Sequence, residues 1–408
     1  MSEKKKRIAI YTQDAKLGNE VKGATRYVYL ATLLHDQGYE VDFITSGFQH
    51  WEKRQRDIEH FDAGTDAYTI KFIDEPSYPK NMCPQRIWAH HVVSRRVVDY
   101  FEQHHDYDLI YCQIPPNDVA REIGKTAKKF NIPFVVDVND LWPEAFRVAF
   151  DVPVLSDILF APFYRQAKAV YQMADAIIGT SDEYRERGKR DARAGIPSET
   201  VYVGNQLAEF DAGAAAHAAE IDKPEGEIWV SYAGTLSACY DLETLVSAIA
   251  EVQEVHPDVV LQILGDGSER ENLKRVASAA GANVVFHGYL PYDQMAAWLS
   301  KSDITVNSLV EKAAQSIVTK IGDYLAAAKP MVNTSCSAEF RAKVESDGFG
   351  VNVNPGLAEE MAQALIELIE DEPRRVEMGR IARHIAEEQF DRPHSYMKTV
   401  RLIEKLIR

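Results

Sequence analysis

Short apolar runs rich in β-branched residues alternate along this chain with longer stretches whose apolar positions recur every three to four residues. In the first half the runs are 7–11, 40–45, 67–73, 109–112, 133–138 and 176–180, and the helical-period stretches include 25–37, 87–104 and 118–130. In the second half the runs are 228–233, 259–264, 283–287, 304–306, 330–333 and 350–353. The stretches 242–255, 268–280, 292–300, 319–327, 338–347 and 357–370 read as helices there. Strand–helix alternation repeated this often predicts parallel sheets covered by helices on both faces. About a dozen strands is many for one open sheet, so the pattern predicts an α/β chain of two doubly wound, Rossmann-like domains. The expected division is 1–207, a linker at 208–227, 228–390, and a helix at 391–408 that crosses back to the N-terminal domain. The small residues at 212–219, followed by Asp-Lys-Pro-Glu-Gly-Glu, read as a solvated helix with a linker; Pro393 should bend or stop the last helical region.

Composition narrows the class without changing the architecture. The 408 residues are 46% hydrophobic and 26% charged, ordinary values for a folded enzyme. No apolar run approaches the roughly 18 residues a membrane-spanning helix needs, and the basic start runs straight into the first strand, so no secretory signal is expected. Cys83, Cys112, Cys239 and Cys336 are scattered, which argues against a disulfide framework or structural zinc and for core thiols in a reducing cytoplasm. Net charge is −16. Residues 1–205 hold 27 Lys+Arg against 30 Asp+Glu, a balance of −3, and the remainder holds 19 against 32, a balance of −13. An acidic chain with no basic stripe is a poor nucleic-acid binder. The pairs His90–His91 and His104–His105 are adjacent on helices, so their rings point about 100° apart and chelate poorly; no metal is expected.

In doubly wound folds ligands bind beyond the carboxyl ends of the strands, and two such domains facing each other place the active site in the cleft between them. The residues just after strands are therefore the candidates. Asp140 and Glu144 follow the run 133–138 in Asn-Asp-Leu-Trp-Pro-Glu and would meet an acceptor hydroxyl or a developing positive charge; alternatively Asp140 caps a helix and Trp142 is core. Gly265-Asp266-Gly267 forms a glycine turn from strand to helix that lacks the third glycine of a dinucleotide fingerprint, and such turns are also common for structural reasons. Between 308 and 324, Ser316, Thr319 and Lys320 are expected in a first helical turn that holds a diphosphate, with Asp323 accepting ribose hydroxyls; a solvated charged turn is the alternative. Gly18, Lys22 and Gly23 lie in the loop after the first strand, where glycines permit close backbone approach to a ligand or simply a flexible connection.

These segments, taken in order, resemble glycosyltransferase family 4 in its two-domain GT-B architecture. The resemblance is carried by Tyr232-Ala233-Gly234-Thr235-Leu236, 262–267, Val285-Phe286-His287-Gly288-Tyr289-Leu290-Pro291, 302–306 and 319–330. In the first half it is carried by Asp140-Leu141-Trp142-Pro143-Glu144, 174–178 and 201–205. The segments 140–144 and Ile114-Pro115-Pro116 are most similar to the branch that builds surface polysaccharides. The resemblance implies retaining transfer of a sugar from a nucleoside diphosphate, usually UDP, to a hydroxyl of a glycan or polyprenyl-linked acceptor, without metal or cofactor. It assigns donor binding to Gly234, Thr235, Gly265, Asp266, Gly267, Tyr289, Leu290, Ser316, Ile317 and Asp323. It assigns the chemistry to Asp140, Glu144, Lys320 and Gln315. The family usually has two glutamates eight positions apart, where this chain has Gln315 and Asp323, and commonly places Arg and Lys in the loop occupied here by 234–241, which holds no cation. Charge neutralisation then falls on Lys320. A non-hydrolysing sugar-nucleotide 2-epimerase and a catalytically weak nucleotide-sugar binder are the alternatives. The apolar stretch 146–165, with Arg147, Arg165 and Lys168, is expected either to pack on the first sheet or to meet a lipid-linked acceptor at the cytoplasmic membrane face.

Overall fold

A computed structural model of the chain describes residues 5–20, 25–81, 83–149, 152, 154–313 and 317–408. It divides into two compact units, Met1–Val201 with Tyr396–Arg408, and Tyr202–Ser395.

The first unit contains β1 (Arg7–Tyr11), α1 (Arg26–Asp36), β2 (Glu40–Ser46), β3 (Phe48–Gln49), β4 (Arg54–Gln55), β5 (Thr69–Ile73), α2 (Pro84–Gln103), β6 (Leu109–Ile114), α3 (Asn117–Phe130), β7 (Phe134–Val138), α4 (Phe146–Ala149), α5 (Leu155–Met173), β8 (Ala176–Gly179), α6 (Asp182–Asp191) and β9 (Ser198–Thr200). Seven strands form a parallel sheet in the order β5-β2-β1-β6-β7-β8-β9, and β3 and β4 form a small hairpin. Alternation along each strand supplies both faces of the sheet. Ala9, Tyr11, Ile110 and Cys112 pack with Val93, Val97, Ile123 and Val170 of α2, α3 and α5. Ile8, Ile10, Leu109 and Tyr111 pack with Leu30 and Leu34 of α1 and with Val400 and Ile403 near the C-terminus. Under the sheet, Arg26 donates from Nε to Asp137 Oδ2 at 2.9 Å and from Nη1 to the Val201 carbonyl and the Tyr396 hydroxyl. That buried fork binds the returning C-terminal segment to the first unit.

The second unit contains α7 (Leu207–His217), β10 (Ile228–Ala233), α8 (Leu242–Val255), β11 (Val259–Leu264), α9 (Arg270–Ala280), β12 (Val284–Gly288), α10 (Tyr292–Lys301), β13 (Ile304–Asn307), α11 (Ile321–Ala326), β14 (Met331–Asn333), α12 (Ala338–Asp347), β15 (Gly350–Asn352), α13 (Ala358–Glu370), α14 (Glu372–Ile385) and α15 (Arg392–Ser395); α16 (Met397–Leu406) then joins the first unit. Its parallel sheet runs β12-β11-β10-β13-β14-β15, so the order reverses between β10 and β13. Ligands of such sheets bind outside the carboxyl ends of the strands at that switch.

The expected linker at 208–227 is corrected here. Most of its first half is α7, whose Leu207, Phe210 and Gly213 are buried. A side chain at Gly213 would come within 2.6 Å of the Asp293 backbone, so this glycine is what lets α7 lie directly on α10. An alanine-rich helix shows no polar face in sequence, and its packed side was read as solvated. The unit boundaries accordingly fall at 201/202 and 395/396 instead of 207 and 391. The Tyr202 ring stacks on Phe390 at 4.5 Å, and Asn205 donates its backbone N–H to the Phe390 carbonyl.

Candidate functional site

At the carboxyl edge of the second sheet two glycine turns lie backbone on backbone. Gly234 donates its N–H to the Leu264 carbonyl at 2.9 Å, and Leu236 donates to Asp266 at 3.0 Å. A Cβ at Gly265 would sit 1.9 Å from the Gly234 carbonyl oxygen, and one at Gly267 would sit 2.1 Å from that of Leu236. Glycine is therefore required at both positions by the turn-on-turn contact itself.

Above Gly234 lies Lys320. Its Nζ donates to the Tyr232 hydroxyl at 2.9 Å and stands 4.0 Å and 3.8 Å from the centroids of the Tyr232 and Tyr240 rings. The Tyr232 hydroxyl donates onward to the Thr235 carbonyl at 2.9 Å. Among the described residues no carboxylate forms an ion pair with Lys320. Burial therefore lowers its pKa well below the ordinary lysine value of 10.5. Aromatic faces return part of the lost hydration of a cation, but an ammonium held this way still lacks a counter-anion. A Cβ at Gly234 would come within 3.0 Å of Nζ, so the space beside the ammonium is kept open by the absence of a side chain.

The other expected donor residues are distributed around this centre. Asp266 accepts from Arg270 Nη1 and from the Gly267 N–H, both at 2.8 Å, and so braces its own turn. Tyr289 is 76% exposed, whereas Leu290 packs against the apolar core, as does Ile317. Thr235 is exposed. Gln315 and Ser316 lie outside the described residues. The expected first turn at 316–320 is corrected, because α11 begins only at Ile321, with Lys320 as its cap, and spans six residues. Asp323 Oδ1 accepts from Asn205 Nδ2 at 2.9 Å and from the Tyr292 hydroxyl at 2.8 Å. Burial raises its pKa. These bonds to one oxygen form a clasp that fastens residue 205 to α10 and α11.

In the first unit, Asp140 follows β7, accepts from the Leu141 N–H at 2.8 Å, and is pushed above the ordinary aspartate pKa by burial. The Glu144 carboxylate accepts from Arg187 Nε, and Arg187 also donates to Asp191 at 2.7 Å. That pair anchors the 140–144 loop to α6 through one carboxylate oxygen of Glu144. Gly18 adopts φ of +45°, and a Cβ there would meet the Asp62 carbonyl at 2.9 Å, so its glycine serves loop packing. Lys22 and Gly23 lie outside the described residues. The same loop is held by a buried fork absent from the sequence reading, Arg56 Nε and Nη2 donating to Glu20 at 2.7 and 2.8 Å.

Sequence reasoning also missed a polar cluster at the carboxyl edge of the first sheet, made of Asp14, His50, Glu75 and Arg86. These come from four separate segments, after β1, in the β3–β4 turn, after β5 and at the start of α2. No local spacing links them. Among the described residues no group of three or more His, Cys, Asp and Glu is arranged to hold a metal ion.

Two family models cover most of the chain, Glycosyltransferase Family 4 over residues 21–204 and Glycosyl transferases group 1 over residues 227–371. The chain belongs to glycosyltransferase family 4 and has the GT-B fold of two Rossmann-like domains. The chain is 28% identical over 153 residues to the GDP-mannose-dependent monoacylated alpha-(1-6)-phosphatidylinositol monomannoside mannosyltransferase of Corynebacterium glutamicum, covering 36% of this chain and 39% of that protein. To the alpha-D-kanosaminyltransferase of Streptomyces kanamyceticus it is 25% identical over 214 residues, 50% and 54% of the two chains. The chain thus spans about half the length of these curated relatives or less. Among solved structures, sucrose-phosphate synthase from Thermosynechococcus elongatus superposes with a TM-score of 0.70 at 20% identity, covering 98% of this chain and 99% of that one. HepE from Anabaena in complex with UDP superposes with a TM-score of 0.69 at 16% identity, covering 98% and 100%.

Proposed function

We propose that this protein transfers a sugar from a nucleoside diphosphate, a UDP-sugar, to a hydroxyl of a glycan or lipid-linked acceptor, with retention at the anomeric carbon, in surface polysaccharide assembly. The observation that carries the proposal is the Lys320 ammonium, without a carboxylate partner among the described residues, between two tyrosine rings and over a glycine at the switch edge of the second sheet. A buried cation is stabilised most by an anion that stays hydrogen-bonded to it, and the leaving diphosphate of a sugar donor is such an anion. As the bond from the anomeric carbon to the phosphate oxygen breaks, charge grows on the diphosphate, and Lys320 favours that state over the intact donor. The acceptor oxygen bonds to the same carbon from the leaving group's side and its proton passes to a phosphate oxygen. Asp140 supplies the negative charge expected on the acceptor-binding unit. The UDP complex of HepE and the transferase names of the relatives support this reading.

The first unit also carries a surface suited to a lipid-linked acceptor. Leu155, Ile158, Leu159 and Phe163 of α5, with Val154 at its cap, are all exposed, and exposed Arg165 and Lys168 follow on the same helix. Among the described residues no helix is long and apolar enough to cross a membrane. Peripheral attachment at the cytoplasmic face would use this apolar stripe and its cations. Thermal-shift titration with UDP, GDP and CDP tests the donor. UDP should stabilise the protein, and Lys320→Ala should erase the shift while leaving the fold intact. No stabilisation by any nucleotide contradicts the proposal, and stabilisation by GDP alone replaces the donor. Salt-sensitive sedimentation with anionic vesicles tests the stripe.

A further inference from the structure

Asp323 stands three positions beyond Lys320 at the start of α11, and helix side chains at that spacing have Cβ atoms about 5–6 Å apart. Its carboxylate is held by one oxygen. Asn205 Nδ2 donates to Oδ1 at 2.9 Å, and the Tyr292 hydroxyl donates to the same oxygen at 2.8 Å. Two donors fill the lone pairs of Oδ1. Among the described residues Oδ2 accepts no hydrogen bond, and the side chain is partly exposed. The last torsion of an aspartate is broad, so these two bonds set the plane of the carboxylate and keep Oδ2 available.

Both donors are themselves fixed. The Asn205 backbone donates its N–H to the Phe390 carbonyl at 3.0 Å and accepts at its carbonyl from the Arg392 N–H at 2.9 Å. The side-chain Oδ1 of Asn205 is buried and, among the described residues, has no hydrogen-bond partner. Buried polar atoms are rarely left so. Turning the amide over would set that oxygen against Asp323 Oδ1, acceptor against acceptor. The amide therefore leaves its own acceptor unpaired in order to keep its donor on the carboxylate. Tyr292 begins α10, directly after the loop 289–291 that leaves β12, and its ring meets Phe210 edge-on at 6.4 Å. Gly288, at the end of β12, bridges to Gly265 of the glycine turn. The hydroxyl thus reaches Asp323 from the strand end that borders that turn.

A nucleoside diphosphate whose phosphates meet Lys320 carries a ribose as its next ring, and the ribose hydroxyls need an acceptor close by. We infer that Asn205 and Tyr292 are positioning residues for the nucleotide ribose, holding Asp323 by Oδ1 so that Oδ2 accepts a ribose hydroxyl. The inference rests on the nucleotide-donor reading above, and both residues act through Asp323. Burial opposes the charged form of Asp323, while the bonds from Asn205 and Tyr292 and the charge of Arg392 favour it. Tyr292 and Tyr324 are the titratable groups beside it, and Glu209 acts on Tyr292. Removing either donor therefore pushes the Asp323 carboxyl further up and weakens it as an acceptor at lower pH.

Isothermal titration of the full chain with UDP and with 2′,3′-dideoxy-UDP, and with the corresponding guanosine pair, tests it. The wild type should bind the ribose nucleotide about tenfold or more tighter than its dideoxy form. Asn205→Leu keeps the side-chain volume and removes the donor, and Tyr292→Phe removes the hydroxyl alone. Each should shrink that ratio about threefold or more while binding the dideoxy nucleotide as the wild type does. Protonation of Lys320 affects both nucleotides alike and cancels in the ratio. Between about pH 8 and pH 5 the ratio should collapse at a higher pH in the variants than in the wild type. Equal losses for the two nucleotides, a ratio unchanged in both variants, or a wild-type ratio near one each overturns the inference and leaves the donor reading standing. Binding of no nucleotide by the wild type overturns both.

Discussion

The carboxyl edges of the two sheets share a topology and carry opposite chemistry. In the second unit the edge is built from glycine turns, two tyrosine rings and one ammonium that lacks a carboxylate partner among the described residues. In the first it is built from carboxylates and cations crowded together, among them Asp14, Glu75, Lys53 and Arg86, with aromatic rings between them. On the proposed function the second edge suits an anion, with side chains removed and a cation that has no carboxylate partner among the described residues. The other supplies hydrogen-bond donors and acceptors in near balance. The fold fixes where each ligand sits, and the side chains after each strand decide what it is.

The comparison breaks most visibly if one frame is removed. Arg26 and Asp137 are 6% and 0% exposed, and truncating one partner of a buried pair costs about 3–5 kcal/mol. Asp137→Ala should therefore unfold the first unit at lower temperature and leave nucleotide stabilisation of the second, measured as two separated calorimetric transitions. Next in size is Gly265→Ala, whose Cβ would overlap the Gly234 carbonyl. It should cost about 2–3 kcal/mol and lower nucleotide affinity with it, by displacing the floor beneath Lys320.

Glu75 offers a sharper test of the acidic edge. Burial raises its carboxyl to about 7 from 4.5. Between those values the native state holds a proton that the unfolded chain releases, so stability contributed by this group falls as pH rises, and the full cost applies above about pH 7. Glu75→Gln keeps an acceptor for Gln13 and carries no charge. It should match the wild type below pH 4.5 and exceed it at pH 8 by on the order of 3 kcal/mol, read from chemical denaturation across pH. Smallest is Glu144→Gln. It should lose about 1 kcal/mol of stability through Arg187 and leave turnover unchanged, whereas a large loss of turnover would return Glu144 to the chemistry.

The same contrast explains what could be read along the chain. The buried parallel strands were legible because runs such as Ile8–Tyr11, and Val259–Leu264 apart from Gln262, are apolar. The second unit's edge was legible because Gly234, Gly265, Gly267 and Lys320 fall in short segments with strand and turn signals around them. The first unit's edge was not. Asp14, His50, Glu75 and Arg86 are brought together only by the order β5-β2-β1 of the sheet, and no local spacing records that order. The Glu144–Arg187 pair was illegible for the same reason, since its members lie 43 positions apart. β9 was missed because three residues of strand carry little periodic signal, and the buried face of α7 was missed because an alanine-rich helix does not mark which side packs.

The central claim is that Lys320 waits for a diphosphate. In the free protein burial holds its pKa well below 10.5, and a bound anion must raise it again. Binding at a pH above the depressed value therefore takes up a proton, and affinity falls as pH rises through that window. Isothermal titration with UDP in buffers of different ionisation enthalpy should show proton uptake by the wild type. In Lys320→Met the uptake should vanish and affinity should fall at least 100-fold. Equal affinity in the two proteins, or no proton uptake at any pH up to 10, would contradict the account.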